Sequence, residues 1–398
     1  MVTRLNEIKF IDELDIKNKV VFIRCDFNVP LKDGKITDPT RIESALETIK
    51  YALGEEAKVV LGSHLGRPKG KYVKELSLLP VADYLVKALK RDVLLTDKPN
   101  SNALRKMIED MKSNQVILLE NLRYESFEKK NNLQFAQNLA SHFDVYINDA
   151  FGTSHRAHAS TVGIPKFMKE KGAGFLIKRE LEKFNHMLEN PESPFIAVLG
   201  GAKVSGKIGV IENLMDIVDT IIIGGAMANT FMVAKGYDMG KSLVEEDAIE
   251  VAKLILSKAK RNNVEFLLPV DFIAADKFSL DAKYDNYTID NFPKDRMALD
   301  IGEKTVDIYR KVLLAAKTVF WNGPMGVFEL EPFAQGTLSI AVAITKSEAY
   351  SVVGGGDSVA AINHIGLADK INHVSTGGGA SLEYIEGKEL PALTALKS

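Results

Sequence analysis

Short runs rich in valine and isoleucine recur along this chain, each closed by glycine or polar residues and followed by an amphipathic stretch. In the first half they fall at residues 20–24, 58–61, 116–119 and 145–147; in the second, at 195–199, 220–223, 265–269, 318–321 and 350–353. Helical periodicity fills the intervals, as at 77–90, 133–142, 246–261 and 305–316. Strands that are apolar on both faces must be covered on both faces, and alternating helices supply that cover in parallel βαβ units. The predicted fold class is therefore α/β. At about 150 residues per domain, a chain of 398 residues is expected to form two doubly wound, Rossmann-like parallel sheets. The segment 171–190, KGAGFLIKRELEKFNHMLEN, reads as one helix opened by glycines and closed by Asn190-Pro191, the expected connector near the midpoint.

Bulk properties remove several function classes. A net charge of −2 argues against nucleic-acid binding by bulk electrostatics. The single cysteine, Cys25, excludes an internal disulfide and a cysteine-rich metal cluster. The N-terminal residues MVTRLNEIKFIDELDIKNK carry no apolar signal region, and the most apolar stretch, 217–234, is broken by Asp219, Gly224, Gly225 and Asn229. The expectation is a cytoplasmic protein with neither a nucleic-acid nor a membrane partner.

In open α/β sheets, ligands bind beyond the carboxyl ends of the strands. Those positions in the first half hold Asp26 and Asn28 (RCDFNVP), His64 and Arg67 (GSHLGRP), Arg123 (LENLRYE), and His155, Arg156 and His158 (FGTSHRAHAS). Arg41 stands in the loop TDPTRIES. One arginine after a strand is ordinarily a solvated surface residue. Basic residues at several strand ends instead predict a converging cationic pocket, and the guanidinium fork suits a small polyanion bearing carboxylate or phosphate. His155 and His158 lack a third ligand at zinc-like spacing, and Ser154 lies in no nucleophile elbow.

The second half puts glycines where the first puts arginines. Gly200-Gly201, Gly224-Gly225, Gly354-Gly355-Gly356 and Gly377-Gly378-Gly379 lie at or near strand ends, where bare backbone can approach a nucleotide and its phosphates. A single such cluster would be a strand terminator; their repetition predicts a nucleotide-binding face. No stretch satisfies G-x-G-x-x-G, which sets a dinucleotide dehydrogenase aside. The run GGAKVSGKIG (200–209) nearly spells a P-loop, but Ile208 stands where the magnesium-binding hydroxyl belongs. After Ser205, Ile208, Ile211, Met215 and Val218 fit one helix face, with Lys207 expected in its first turn. A lysine there opposes the helix dipole, so an anionic ligand is the better explanation. Asp357, after three glycines, is the carboxylate expected to hold the metal, a role compatible with capping a helix.

The motifs RCDFNVP, GSHLGRP, LENLRYE, DAFGTSHRAHAS, GGAKVSGKI, GGAMANTF, WNGPMGVFE, GGGDS and STGGGASLEYIEGKELP, in this order across essentially the whole chain, resemble the phosphoglycerate kinase family. The resemblance implies two domains separated by a cleft and joined by a helical hinge. They would be a phosphoglycerate-binding domain (1–172), a connecting helix (173–190) and a nucleotide-binding domain (191–387), with 388–398 packing back on the first. It implies Mg²⁺-dependent transfer from 1,3-bisphosphoglycerate to ADP, giving 3-phosphoglycerate and ATP by domain closure, in a monomer. By motif, Asp26, Asn28, Arg41, His64, Arg67, Arg123 and Arg156 would bind phosphoglycerate. Lys203 would reach the transferring phosphoryl group, with Arg41 as its catalytic counterpart, and Lys207 the nucleotide phosphates. Asp357 would hold the metal and Glu329 face the ribose. Gly201, Gly224, Gly225, Gly302, Asn322, Pro324 and the run Gly354, Gly355, Gly356 and Ser358 would complete the nucleotide pocket. The chain departs from the family pattern at Glu303, where D-I-G-P-K-T has proline, at Ala226 in place of a third glycine, and at Ala392 in the ELPGV ending.

Two other readings use the same residues: a non-catalytic two-lobed protein that captures a phosphorylated acid, and an ATP-grasp or P-loop-type kinase for another acid. The missing hydroxyl at position 208 disfavours the P-loop version.

Overall fold

The computed structural model describes residues 5–112 and 114–397. The chain divides into two compact units, Met1–Glu182 with Lys388–Ser398, and Lys183–Gly387. In the first unit the strands are β1 (Val20–Cys25), β2 (Leu31–Lys32), β3 (Lys35–Ile36), β4 (Lys58–Gly62), β5 (Asp92–Leu95), β6 (Gln115–Leu118), β7 (Val145–Asp149) and β8 (Glu170–Ala173). Among the described residues, six of them form a parallel sheet in the order β5-β6-β4-β1-β7-β8, while β2 and β3 make a small antiparallel ribbon. Central β1 sets Val21 against Val59 on one side and Val145 on the other.

The core shows why these residues choose these elements. Ile42, Ala45, Ile49 and Ala52 recur at three- and four-residue steps along the helix Thr40–Gly54, so all face the same way. They pack with Val81, Ala82 and Leu85 of the helix Leu79–Leu89 onto Val21, Ile23, Val59 and Leu61 of the sheet. On the opposite strand face, Phe22 stacks on Phe143 with ring centroids 4.7 Å apart. The C-terminal residues belong to this unit: the Ala392 amide donates to the Ser154 carbonyl at 3.1 Å, and Lys397 pairs with Glu7 at 2.7 Å.

The segment 171–190 is not one helix. Residues through Ala173 form edge strand β8, and the helix runs Phe175–Glu189. The Ala173 amide donates to the Lys9 carbonyl at 2.9 Å, and a side chain at Gly172 would stand 2.6 Å from that oxygen. The helix starts only where the Asp149 carboxylate accepts from the Leu176 and Ile177 amides, at 3.0 and 3.3 Å. Long-range backbone pairing overrides the local pattern.

The second unit holds β9 (Phe195–Leu199), β10 (Thr220–Ile223), β11 (Glu265–Leu267), β12 (Asp271–Ala275), β13 (Tyr284–Thr288), β14 (Met297–Ile301), β15 (Thr318–Asn322), β16 (Tyr350–Gly354) and β17 (His373–Val374). Its described residues form a second six-stranded parallel sheet in the order β11-β10-β9-β15-β16-β17. Ile196, Val198, Val319, Trp321 and Val353 pack with Tyr309 and Leu313 of the helix Glu303–Leu314 and with Ile340 and Ile344 of Gln335–Lys346. The expectation of parallel sheets alone missed the antiparallel β13-β12-β14. Its outer strand, YDNYT, is too polar to register as a buried run.

Candidate functional site

In the first unit the basic strand-end residues converge. Asp26, one residue past β1, pairs with Arg41, and its other oxygen lies 3.9 Å from His64 Nδ1. Arg41 sits in the first turn of the helix Thr40–Gly54, whose start is fixed by Asp38 accepting from the Thr40 amide at 2.9 Å. A cation there works against the helix dipole, so helix stability does not account for it. The Asn28 side chain accepts from the Gly66 amide at 2.8 Å, and Arg123 donates to the Gly66 carbonyl at 2.7 Å. The Asn121 side chain holds the turn carrying Arg123 by accepting from the Arg123 amide at 3.1 Å. Arg67 follows Gly66 on this loop and is exposed, as is Arg156, whose Nε donates to His155 Nε2 at 3.1 Å.

Electrostatics sharpens the picture. Burial, reinforced by Arg24, Arg123, Arg41 and Arg156, pushes His64 well below the ordinary imidazole range. Burial and Arg24 likewise push His158 down to about 3. Arg123 is drawn down to about 10, first by burial and then by Arg156 and Arg24. This is a cluster of guanidinium charge around imidazoles held neutral, an environment that suits a multiply charged anion. The sequence reading missed Arg24, which is fully buried beneath the pocket, and Glu128, buried equally deeply. A charged residue inside the otherwise apolar strand VVFIRC was the available signal for Arg24.

In the second unit the glycines and lysines line two adjoining pockets. An apolar cleft of about 680 Å³ is bordered by Gly201, Gly225, Leu243, Pro324, Glu329 and Asp357. A polar recess of about 400 Å³ is bordered by Lys203, Lys207, Asn322, Gly355, Asp357 and Ser358. Gly201 and Asp357 belong to both, so the two open onto one another. Gly201 and Gly225 both have left-handed backbone, and a side chain at Gly225 would stand 2.5 Å from the Gly201 amide nitrogen. Gly356 also borders the recess, whereas Gly354 lies one residue behind the recess and Gly224 one residue behind the cleft: a side chain on Gly224 would strike Met325 Sδ at 2.4 Å. Gly302 lines neither pocket. It opens the helix Glu303–Leu314, packed so closely that a side chain would lie 2.3 Å from the Asp271 carboxyl carbon.

Lys207 precedes the helix Ile208–Leu214 instead of standing in its first turn, because it closes the turn 204–207, its amide donating to the Val204 carbonyl at 2.9 Å. It is buried, and burial pulls its ammonium down to about 8 despite the Asp357 carboxylate. Lys203 is exposed. The turn bearing both lysines is clasped by Glu245, which accepts from the Ser205 amide at 3.0 Å and from its hydroxyl. Glu245 carries no sequence motif and was not anticipated.

Among the described residues, no group of three or more His, Cys, Asp or Glu side chains is arranged to hold a metal. The exposed Asp357 carboxylate beside the recess nonetheless suits Mg²⁺, which is commonly held by one or two carboxylates plus water and substrate phosphates. No helix among the described residues is long and apolar enough to cross a membrane.

A family model described as phosphoglycerate kinase matches residues 11–388. The phosphoglycerate kinase of Clostridium botulinum (strain Langeland) is 54% identical over 391 residues, covering 98% of each chain. That of Clostridium tetani is 52% identical, covering 98% of this chain and 97% of its own. The structure of phosphoglycerate kinase from Coxiella burnetii superimposes with a TM-score of 0.88 at 46% identity, covering 98% of each chain. The enzyme from Pyrococcus horikoshii does so with 0.85 at 36% identity, covering 97% of this chain and 98% of its own. With α/β architecture, strand-end pockets and full-length similarity in agreement, the chain belongs to the phosphoglycerate kinase family.

Proposed function

We infer that this protein is a kinase that moves a phosphoryl group reversibly between 1,3-bisphosphoglycerate and ADP, yielding 3-phosphoglycerate and ATP. The observation that carries the reading is the division of labour between pockets. A guanidinium cluster in the first unit suits the phosphorylated acid, and an apolar cleft opening onto a lysine-lined recess in the second suits a nucleotide. Family membership supports turnover over capture without chemistry.

The acceptor in the ATP-consuming direction is a carboxylate, ionised at neutral pH, so no general base is needed. The obstacle is one anion approaching another, which positioned cations relieve. Asp26, Asn28, His64, Arg67, Arg123 and Arg156 are assigned to orienting phosphoglycerate, with Arg41 and Lys203 placed on the moving phosphoryl group. Lys207, Asn322, Gly355, Gly356 and Ser358 would cradle the nucleotide phosphates, while Gly201, Gly225, Pro324 and Glu329 border the base and ribose. Mg²⁺, held through Asp357, would supply further charge neutralisation at the phosphate oxygens. Acyl phosphates hydrolyse readily, so the reading includes closure about the helix Phe175–Glu189 to exclude water. It also includes action as a monomer in the cytoplasm.

The test is a coupled assay with 3-phosphoglycerate and MgATP, following acyl-phosphate formation. Turnover supports the reading, whereas binding without turnover by folded protein returns it to a capture role. Scattering with both substrates bound should give a smaller radius of gyration than the free protein, and equal radii would remove closure from the proposal.

A further inference from the structure

A buried charge is costly unless it is paired and hydrogen-bonded. Beneath the guanidinium pocket the first unit nonetheless buries Arg24 and Glu128 completely, and Ser160, equally buried, links them. The Ser160 hydroxyl lies 2.6 Å from Glu128 Oε1, and its amide donates to Oε2 at 3.0 Å. Burial raises the Glu128 carboxyl above its ordinary range, and Arg24 and both Ser160 hydrogen bonds oppose that rise.

These contacts have a direction. A hydroxyl has one proton to give; once it goes to Glu128, Ser160 Oγ is free to accept from Arg24 Nε, at 2.8 Å. Arg24 Nη1 donates to the Cys25 carbonyl, and Nη2 stands 3.3 Å from His64 Nδ1. A guanidinium only donates. His64 Nδ1 must therefore be the bare, accepting nitrogen, and the ring proton belongs on Nε2. The charged groups acting on this imidazole are Arg24, Arg41, Arg123 and Arg156, with Asp26 at 3.9 Å.

We propose that Glu128 is a positioning residue for the phosphoglycerate pocket: through Ser160 and Arg24 it holds His64 as a neutral imidazole protonated on Nε2, a donor of fixed direction and not a further cation. This rests on the reading that the first unit takes phosphoglycerate. A pocket already dense in guanidinium charge gains little from another cation, but a fixed neutral donor can select for oxygen position. Orientation of contact residues by such outer partners is a recurrent device.

The experiment pairs nitrogen NMR of the imidazoles with steady-state kinetics. The His64 signals are assigned by their loss in His64→Gln. In the wild-type chain His64 is expected to show one tautomer, with Nδ1 bare, and no titration between about pH 5.5 and 8. Ser160→Ala and Glu128→Ala should mix the tautomers and raise KM for 3-phosphoglycerate about tenfold, with KM for MgATP essentially unchanged. The relay is overturned if wild-type His64 carries its proton on Nδ1, or if the folded variants keep the wild-type KM. Should Glu128→Ala fail to fold, Ser160→Ala, which removes a single hydroxyl, still decides. Absence of turnover by the wild-type protein would refute the functional reading, while the NMR result would still judge the relay.

Discussion

The Lys207 ammonium donates to both oxygens of Asn322, the side-chain amide and, at 3.2 Å, the main-chain carbonyl. Asn322 in turn donates from its side chain to the Gly354 carbonyl at 2.8 Å, tying the lysine turn to the ends of β15 and β16. The cation is thus held in a buried place with neutral acceptors around it.

This arrangement predicts a pH-dependent nucleotide affinity. Burial lowers free Lys207 to about 8, and bound phosphate, an anion, favours the protonated form. Affinity for ADP should be flat between about pH 7 and 8, above the ionisation of its own terminal phosphate, and fall above about 8, toward tenfold per pH unit, with proton uptake on binding. Calorimetry in buffers of different ionisation enthalpy measures both quantities. Constant affinity up to pH about 9.5 would contradict the assignment of Lys207 to the phosphates.

Lys203, proposed to act on the transferring phosphoryl group, should separate kinetically from Asp357, proposed to hold the metal. Lys203→Ala is expected to lower kcat by at least about 10³-fold with little change in nucleotide Kd. Asp357→Ala should instead shift the magnesium titration to higher concentration. A Lys203→Ala enzyme that keeps its kcat removes that residue from the transition state.

Stability should decline as pH rises through the neutral range. Burial lifts Asp300 to about 8 although the Gly336 and Ile301 amides donate to it. The unfolded carboxyl titrates near 3.8, so between these values the folded chain retains a proton that the unfolded chain releases. Its stabilisation is complete below the lower value and is lost as pH rises through the upper one. Asp149, lifted to about 7 by burial, acts in the same sense. Histidines lowered by burial contribute the opposite slope only below about 6.5, and Lys207 only above about 8. Melting temperature should therefore fall between about pH 6.5 and 8, less steeply in Asp300→Asn. An equal slope in both proteins would show that Asp300 does not titrate there.

The start of the connecting helix has no room for a side chain. A Cβ on Gly174 would lie 2.3 Å from Asp149 Oδ1, the oxygen that accepts from the Leu176 and Ile177 amides. Gly174→Ala should cost about 1–3 kcal/mol through overpacking, read as a lower chemical-unfolding midpoint. An unchanged midpoint would mean that Asp149 can withdraw freely from the helix end.

Where local chemistry decides, the sequence was readable. The predicted runs at 195–199 and 220–223 coincide with β9 and β10, because short β-branched runs such as FIAVL and TIII, closed by glycine, favour a strand covered on both faces. Strand-end motifs brought Asp26, His64 and Arg123 into one reading with Arg41, which was expected in a loop and stands in the first turn of a helix, and the fold does bring the four together. The polar strand YDNYT and the edge strand at 170–173 escaped because their pairing partners, not their own composition, make them strands.

The sequence by itself determined the α/β class, the strand ends that carry charge or glycine, and the family, since each follows from residues close together in the chain. Only the tertiary structure decided which charges are buried and what they touch. Lys207 meets Asn322 across 115 residues, and Arg24 meets Ser160 across 136. No local pattern encodes such meetings. They arise because parallel strands deliver distant segments to the same sheet edge, where a buried polar group must find a partner or destabilise the fold.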